Sequence, residues 1–434
     1  MDVSMAPPHI FLGVPILGAT LGLFFRTKPK AMIVWFLIVT SLEMGLLVFI
    51  PPPMLTALTA PMILLIAFSA CLAVLAHPIH FVPSSELFNI LFFCGLGFGF
   101  LFRTDRLGLV YLAGIFALLF WIQLRSSRFS DPKIWWTLGL YVIGIVSLLS
   151  AFFLAGFNRQ IALLLVYMTL LPLFPFHGVY ISLLGTLPGL LPAFLSIFLP
   201  VLGLSGLISV LSDLPLEVNR VLLACAILGV ISGSLRSLVK NSVPARLSQI
   251  ALVYWSILWW YIAGPEAKTP PAIIFLCAAA LTICGLFLAW QGLKSRYGDL
   301  AEDQFGGLAS TMPRFAVVFS LLIAAGMGLP LFGLFSGFIE MTLSHSGNLT
   351  AGLVIILFSW FLVSWAFSAF MQKILFGPEK TNWIYRDFGR GELISLSLIV
   401  VVLIMIGIAP YRLFGLGNLP HITSPISDLA SWRK

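Results

Sequence analysis

The chain has 434 residues, of which 60% are hydrophobic and only 9% charged, with a formal net charge of +8 and a mean hydropathy of +1.07. A soluble globular protein carries about 25% charged residues, so this composition excludes a water-covered globule. It also argues against a nucleic-acid partner, because the excess of basic residues is spread over short loops between apolar runs.

Apolar runs of membrane-spanning length recur from end to end, each long enough to cross ~30 Å of hydrocarbon. Backbone polar groups in lipid must be paired within the segment, so the runs are expected to be helices. The short period-2 alternation of a transmembrane barrel is missing. The expected class is an all-α polytopic membrane protein. Its fourteen spans fall at about 10–25, 31–50, 57–77, 87–103, 107–124, 135–156, 160–176, 188–209, 219–239, 247–263, 271–292, 313–343, 350–375 and 392–411. The first run has its basic residues after it and none before it, so it reads as a retained span and not a cleaved signal.

The loops are short, so their Lys and Arg content predicts orientation. With the N-terminus outside, the inner loops hold Arg26, Lys28, Lys30, Arg125, Arg128, Lys133, Arg236, Lys240, Arg246, Lys294, Arg296, Arg314, Lys373, Lys380, Arg386 and Arg390. That is sixteen of the 24 basic residues, leaving eight outside. Both termini are therefore expected on the outer face.

Spans seven and twelve carry proline at mid-membrane depth. Span seven contains Leu171-Pro172-Leu173-Phe174-Pro175 and span twelve contains Leu329-Pro330-Leu331-Phe332. Proline removes a helical hydrogen bond and clashes with the preceding turn, so helix breaks are expected at Pro172, Pro175 and Pro330. Broken helices at matching positions of two halves point to a transport pathway. The two spans lie five apart, so they run in opposite directions, as inverted repeats require. The repeated tetrapeptide is also a cheap string in a Leu- and Phe-rich chain.

The five cysteines, Cys71, Cys94, Cys225, Cys277 and Cys284, all sit inside apolar runs with no Cys-x-x-Cys pair or Cys/His cluster. Buried structural thiols are expected, with neither disulfide nor metal. No nucleotide-binding loop or redox-cofactor motif occurs, so no cofactor and no catalytic site are expected.

The stretch Pro172-Leu173-Phe174-Pro175-Phe176-His177-Gly178-Val179-Tyr180, with Pro188 further on, resembles the signature of the antiporter-like membrane subunits. These subunits are shared by respiratory complex I, Mrp-type cation antiporters and membrane-bound hydrogenases. The segments Gly306-Gly307-Leu308-Ala309-Ser310-Thr311-Met312-Pro313, Gly328-Leu329-Pro330 and Phe335-Ser336-Gly337-Phe338 are similar to further motifs of that family. So are Gln372-Lys373-Ile374-Leu375-Phe376-Gly377 and, more weakly, Arg236-Ser237-Leu238-Val239-Lys240. Together they cover about residues 87–380 in the family's order.

The resemblance implies fourteen helices with helices seven and twelve broken. It implies helices 1–3 at 10–86, a first repeat (helices 4–8) at 87–209, a second repeat (helices 9–13) at 219–375, helix 14 at 392–411 and a tail at 412–434. It further implies a proton- or Na+-translocating role inside a large complex in an energy-transducing membrane such as the bacterial inner (plasma) membrane. The implied partners are lipid, homologous antiporter-like subunits and an energy-coupling subunit. The alternatives are a hydrogenase-type complex, a proton-powered inorganic carbon uptake complex, or a non-conducting structural subunit.

The departures bear on mechanism. Leu170 stands where the family has the lysine of span seven, and Pro200 or Val201 stands near the lysine position of span eight. Gly114 lies near the expected glutamate of span five, Ser182 and Leu184 replace an Asp and a His, and Phe338 replaces a Glu. A buried charge in a membrane costs ~3 kcal/mol or more, which makes each ionisable residue left inside a span a candidate. Glu43 in span two reads as a partner-pairing group, a proton-path carboxylate or a packing residue. Glu340 reads as a path residue or a solvated helix end. His177 at the span-seven break is placed to relay a proton or to pair with freed carbonyls. Arg236 and Lys240, four apart at the inner end of span nine, and Lys373 read as inner anchors or as proton-loading groups. Trp259 and Trp260, near a span end, read as members of an interfacial aromatic belt.

Overall fold

A computed structural model describes residues 9–25, 28–48, 59–76, 84–102, 106–126, 132–211, 214–240, 242–264, 267, 269–298, 305–344, 351–378 and 387–410. Among these residues the regular structure is helical, with no strand. The helices are α1 (His9–Gly22, continued by a 3-10 turn at Leu23–Phe25), α2 (Pro29–Val48), α3 (Thr59–Leu75), α4 (Ser84–Phe102), α5 (Arg106–Ser126) and α6 (Pro132–Phe153). Next come α7 (Gly156–Leu170), α8 (Gly178–Thr186), α9 (Leu191–Leu211), α10 (Leu216–Val239), α11 (Val243–Ile262) and α12 (Thr269–Tyr297). The last are α13 (Leu308–Thr311), α14 (Pro313–Gly326), α15 (Gly333–Leu343), α16 (Ala351–Phe376) and α17 (Arg390–Ile408).

Eight of these helices are by themselves long and apolar enough to cross a membrane. They are α4, α5, α6, α9, α10, α12, α16 and α17. Six further crossings complete fourteen: α1, α2, α3, α11, and two made of half-helix pairs, α7 with α8 and α14 with α15. Span seven is longer than its sequence pattern indicated. It starts at Gly156 and continues through α8 to Thr186, where a loop was expected before residue 188. The residues of α8, Gly178-Val179-Tyr180-Ile181-Ser182-Leu183-Leu184-Gly185-Thr186, are too few for a span alone, so only the pairing with α7 makes them one. The tail at 412–434 lies outside the described residues.

Local signals set several helix ends. Pro244 sits in the first turn of α11, and Pro270 and Pro271 in that of α12, where proline's missing N–H costs nothing. At α17 the Glu392 carboxylate accepts the Gly389 backbone N–H at 2.7 Å, one arm of a capping box.

Packing follows one scheme twice. In the first group of five spans, α4 packs on α5 and α9, α5 on α6, α6 on α7 and α8, and α7 on α9. In the second group, α10 packs on α11 and α16, α11 on α12, α12 on α14 and α15, and α14 on α16. Five is odd, so the second group crosses the membrane in the opposite sense to the first. The groups meet where α9 packs on α12. These two helices form the centre of the molecule: the apolar window of α12 is wholly buried and that of α9 is 94% buried. Helix α3 lies against both, and α17 against α12. The cysteines are free thiols, with Cys94, Cys277 and Cys284 buried and Cys71 and Cys225 half-buried.

Candidate functional site: two broken spans and the groups around them

Both breaks are built from backbone rules that the prolines impose. Helix α14 ends in a Schellman motif: the Gly328 N–H donates to Ala325 O and the Leu329 N–H to Ala324 O. Gly328 takes φ +72°, the left-handed conformation that this ending requires. Helix α7 ends with the equivalent outer bond, Leu173 N–H to Met168 O. Its inner bond is missing, because Pro172 occupies the position that would donate it and has no N–H. The chain resumes as helix at Gly178 after the first break and at Gly333 after the second.

A helix end leaves carbonyls without intrahelical partners, and at mid-membrane depth each must find another donor. Tryptophan supplies it at both breaks. The Trp259 indole N–H of α11 donates to Leu171 O at 2.9 Å, and the Trp360 indole N–H of α16 donates to Met327 O at 2.8 Å. The Tyr254 hydroxyl donates to Gly326 O, and Ser364 reaches Met327 O at 3.4 Å. Trp259 is therefore not in an interfacial belt. It is fully buried, and its place near the end of α11 coincides in space with the break of its neighbour.

His177 is the N-cap residue of α8, with no side-chain cap bond of its own. It is buried, and its ring stacks on Phe174 with centroids 5.6 Å apart. Its Nδ1 has no hydrogen-bond partner among the described residues, and Arg236 of α10 lies within electrostatic reach. The side chain therefore does not satisfy the carbonyls freed by the prolines; Trp259 has that task at Leu171.

Beyond the histidine, α8 carries a polar chain. The Trp255 N–H donates to the Tyr180 hydroxyl at 3.0 Å, and Tyr180 donates to Ser196 O of α9 at 3.4 Å. On the other side of α8, the Gln123 amide of α5 donates to Ser182 at 3.3 Å and to Thr186 at 3.4 Å. Ser182, the residue in place of the signature's Asp, thus keeps a polar contact.

The other candidates are dispersed. Arg236 is exposed in the last turn of α10, and Lys240 caps that helix half-buried, its carbonyl accepting Arg246 Nη2–H at 2.8 Å. Lys373 is exposed in the last turn of α16, and Glu340 is half-buried in α15. Glu43 is buried in the middle of α2 with neither carboxylate oxygen hydrogen-bonded among the described residues. It is close enough to Cys71 of α3 and Cys94 of α4 to act on both thiols electrostatically. His177 and Arg236 are thus brought together, whereas Glu43, Glu340 and Lys373 stand on separate helices away from the first break.

The positions where the resemblance implies charged residues are apolar. Leu170, Pro200 and Val201 are buried, the first in the last turn of α7 and the other two in α9. Gly114 of α5 packs against Leu96, and the Phe338 ring lies tilted against Trp360 with centroids 4.6 Å apart.

One carboxylate escaped the sequence reading. Glu86, at the start of α4, is buried, and its Oε2 accepts the Leu190 backbone N–H at 3.0 Å. It ties α4 to the start of α9 across Gly189, whose φ is +68° and whose missing Cβ leaves room for the carboxylate. Pro188-Gly189 in the signature region was the available signal for a tight turn.

No family model matches the chain. Among curated proteins it is 25% identical over 255 residues to NADH-quinone oxidoreductase subunit N of Cytophaga hutchinsonii, covering 56% of this chain and 54% of that one. It is 24% identical over 328 residues to F(420)H(2) dehydrogenase subunit M of Methanosarcina mazei, covering 72% and 63%. The chain thus spans less than two thirds of the length of these relatives. Among solved structures, a chain of the membrane-bound sulfane sulfur reductase, an archaeal respiratory membrane complex, superposes with a TM-score of 0.81 at 16% identity, covering 98% of this chain and 99% of that one. A chain of respiratory complex I from Thermus thermophilus gives 0.78 at 17% identity, with coverage of 98% and 99%. One of the Mrp complex from Dietzia sp. DQ12-45-1b gives 0.74 at 14%, with 98% of each. Spans, breaks, motif order and relatives agree: the chain is an integral membrane protein with the fold of the antiporter-like membrane subunits of complex I and Mrp complexes, and it is similar in sequence to subunits of NADH-quinone oxidoreductase and F(420)H(2) dehydrogenase.

Proposed function

We propose that the chain is a membrane subunit of a multi-subunit proton- or Na+-translocating complex, with an ion path rewired around the broken span seven. The observation that carries this reading is the survival of both mid-membrane breaks with their buried polar groups, one of them bearing His177, beside apolar residues at 114, 170 and 201. A chain retained only as packing material has no need of two helix breaks in the hydrocarbon, each of which costs backbone hydrogen bonds.

The curated relatives are named as subunits of NADH-quinone oxidoreductase and F(420)H(2) dehydrogenase, and energy released in such an assembly is what this chain would use. Its partners are other membrane subunits, homologous antiporter-like ones and an energy-coupling one among them, within an energy-transducing membrane. The working units are the five-helix groups at 87–209 and 219–375, with 10–86 as a flank. Both chain ends lie on the outer face, supported by the sixteen-to-eight bias of basic residues.

Purification in mild detergent with subunit identification tests the assembly: other membrane subunits are expected, and robust ion transport by the isolated chain in liposomes refutes it. His177→Ala, Glu340→Gln and Lys240→Ala, made singly in the assembled complex, test the path. Loss of turnover-linked proton translocation in the histidine variant, with assembly intact, is the expected result. Unchanged pumping in all three identifies a silent subunit. Reporter fusions at Lys434 and in the 380–390 loop are expected on opposite faces.

A further inference from the structure

Among the described residues three acidic side chains are buried: Glu43, Glu86 and Glu392. Two of them are met by donors. Glu392 accepts hydrogen bonds from Arg296 on both oxygens, and Glu86 accepts the Leu190 backbone N–H at 3.0 Å. Glu43 of α2 is the exception. It is 1% exposed, and neither of its oxygens has a hydrogen-bond partner among the described residues.

The surroundings of Glu43 offer little that would hold a negative charge. Helix α2 packs on α1 and α3, and its buried face is Met32, Phe36, Val39, Thr40 and Glu43. The titratable groups within electrostatic reach are two thiols, Cys71 of α3 and Cys94 of α4. Thr40, one turn before Glu43, donates its hydroxyl hydrogen to Phe36 O at 3.0 Å and is also the hydrogen-bond partner of Cys71. The charged or imidazole side chains of α1–α4 among the described residues stand at helix starts. His9 opens α1, Lys30 is the second residue of α2, Glu86 is the third of α4, and α3 has none. From Lys30 to Glu43 the helix rises 13 residues, about 20 Å, which places the carboxyl well inside a hydrocarbon core of ~30 Å.

An ionised carboxylate without a cation or donors is too costly in such a medium to persist, and it takes up a proton instead. Arg296 spares Glu392 that outcome, and a backbone N–H meets Glu86. Glu43 has only the proton. The site also borders the lipid. Leu42, the next residue on α2, is 51% exposed, and Cys71 is half-buried two helical turns after the exposed Leu64 on the same side of α3. A reagent dissolved in the hydrocarbon therefore has a short approach to this carboxyl, whereas one confined to water has none.

We propose that Glu43 is a proton-binding site in the α1–α3 flank, held as the neutral acid, and that its carboxyl is a modification site for lipophilic carbodiimides. The acid proton moves to one carbodiimide nitrogen as the carboxyl oxygen bonds to the central carbon, giving an O-acylisourea. Transfer of the acyl group from that oxygen to the other nitrogen then gives a stable N-acylurea, with no atom lost and no oxidant or reductant involved. The site lies outside both five-helix groups and away from both helix breaks, so the inference does not rest on the ion-translocation reading.

The test treats the unsubstituted protein, in its native membrane at neutral pH, with dicyclohexylcarbodiimide, and maps the adducts by peptide mass spectrometry. Glu392 is the reference, since it is buried too but kept ionised by the Arg296 guanidinium. The expected result is an N-acylurea on Glu43 in roughly 10-fold or greater excess over Glu392. A water-soluble carbodiimide with an added amine is expected to mark the exposed Glu217 of α10 and to leave Glu43 untouched. An unmodified Glu43, or equal modification of Glu43 and Glu392, overturns the modification site. Infrared spectroscopy tests the proton separately, by comparing the parent with Glu43→Gln at neutral pH and unchanged helical content. Loss of one protonated-carboxyl band is expected; loss from the carboxylate bands instead overturns the neutral acid.

Discussion

Replacing Trp259 with phenylalanine tests the idea that indole N–H groups hold the broken spans together. The variant keeps an aromatic ring in a fully buried position but removes the donor to Leu171 O. A buried carbonyl stripped of its partner costs about 1–3 kcal/mol, while interhelical bonds measured in membranes average about 0.6 and reach about 1.7 kcal/mol. With the loss of ring contacts added, about 2 kcal/mol is expected for Trp259→Phe. The same truncation at Trp360 is the internal control, because Met327 O retains Ser364 as a donor at 3.4 Å and Trp360 is only half-buried. About 1 kcal/mol less is expected there, by the same hydrogen-bond magnitudes. Unfolding is followed in detergent with a thiol-reactive dye, since Cys94, Cys277 and Cys284 are buried free thiols that react only when the bundle opens. A Trp259→Phe protein that opens like the parent, or a Trp360→Phe protein that opens earlier than it, refutes the reasoning.

Two further substitutions probe charges elsewhere. Arg296 of α12 donates to both oxygens of Glu392 of α17, one bond measuring 2.7 Å, with side chains 18% and 8% exposed; Arg296→Met is expected to cost about 3 kcal/mol by leaving the carboxylate uncompensated. Adding Glu392→Leu should return most of it in the same unfolding assay, and no recovery would show that packing, not charge, was lost. Glu43→Leu is expected to stabilise the isolated chain by about 1–3 kcal/mol, because the buried carboxyl has no hydrogen-bond partner among the described residues; a destabilised variant would mean that the carboxyl is satisfied within this subunit.

The path from sequence to fold was short where one element carried its own signal. Eight crossings follow from run length alone, and the breaks at Pro172 and Pro330 follow from proline's missing N–H. What stayed hidden depends on which neighbour passes by. Trp259 has the address of an interfacial residue, and only the placement of α7 against α11 turns it into a cap for Leu171. Glu86 lies just before an apolar run and reads as a loop residue until Gly189 is seen making room for it. His177 was found because it sits beside the prolines, and its neighbour Arg236 because it belongs to a recognised segment.

The division between legible and hidden has a physical cause that also bears on function. The polarity of a helix break belongs to the backbone and persists whatever side chains surround it. Something must satisfy those groups in hydrocarbon, and in this chain indole, phenol and serine donors do so. None of them needs to carry a charge to serve. The fold can therefore stand with Leu170 and with Pro200 or Val201 where the resemblance implies lysines, because the donors that close the breaks are elsewhere. Conduction makes a different demand, a continuous line of water or titratable groups across half the bilayer at a time. A chain that keeps the breaks while Leu170 and Val201 stand apolar beside them has separated the two demands. Its breaks are closed by tryptophan at Leu171 and Met327, whatever carries the ion.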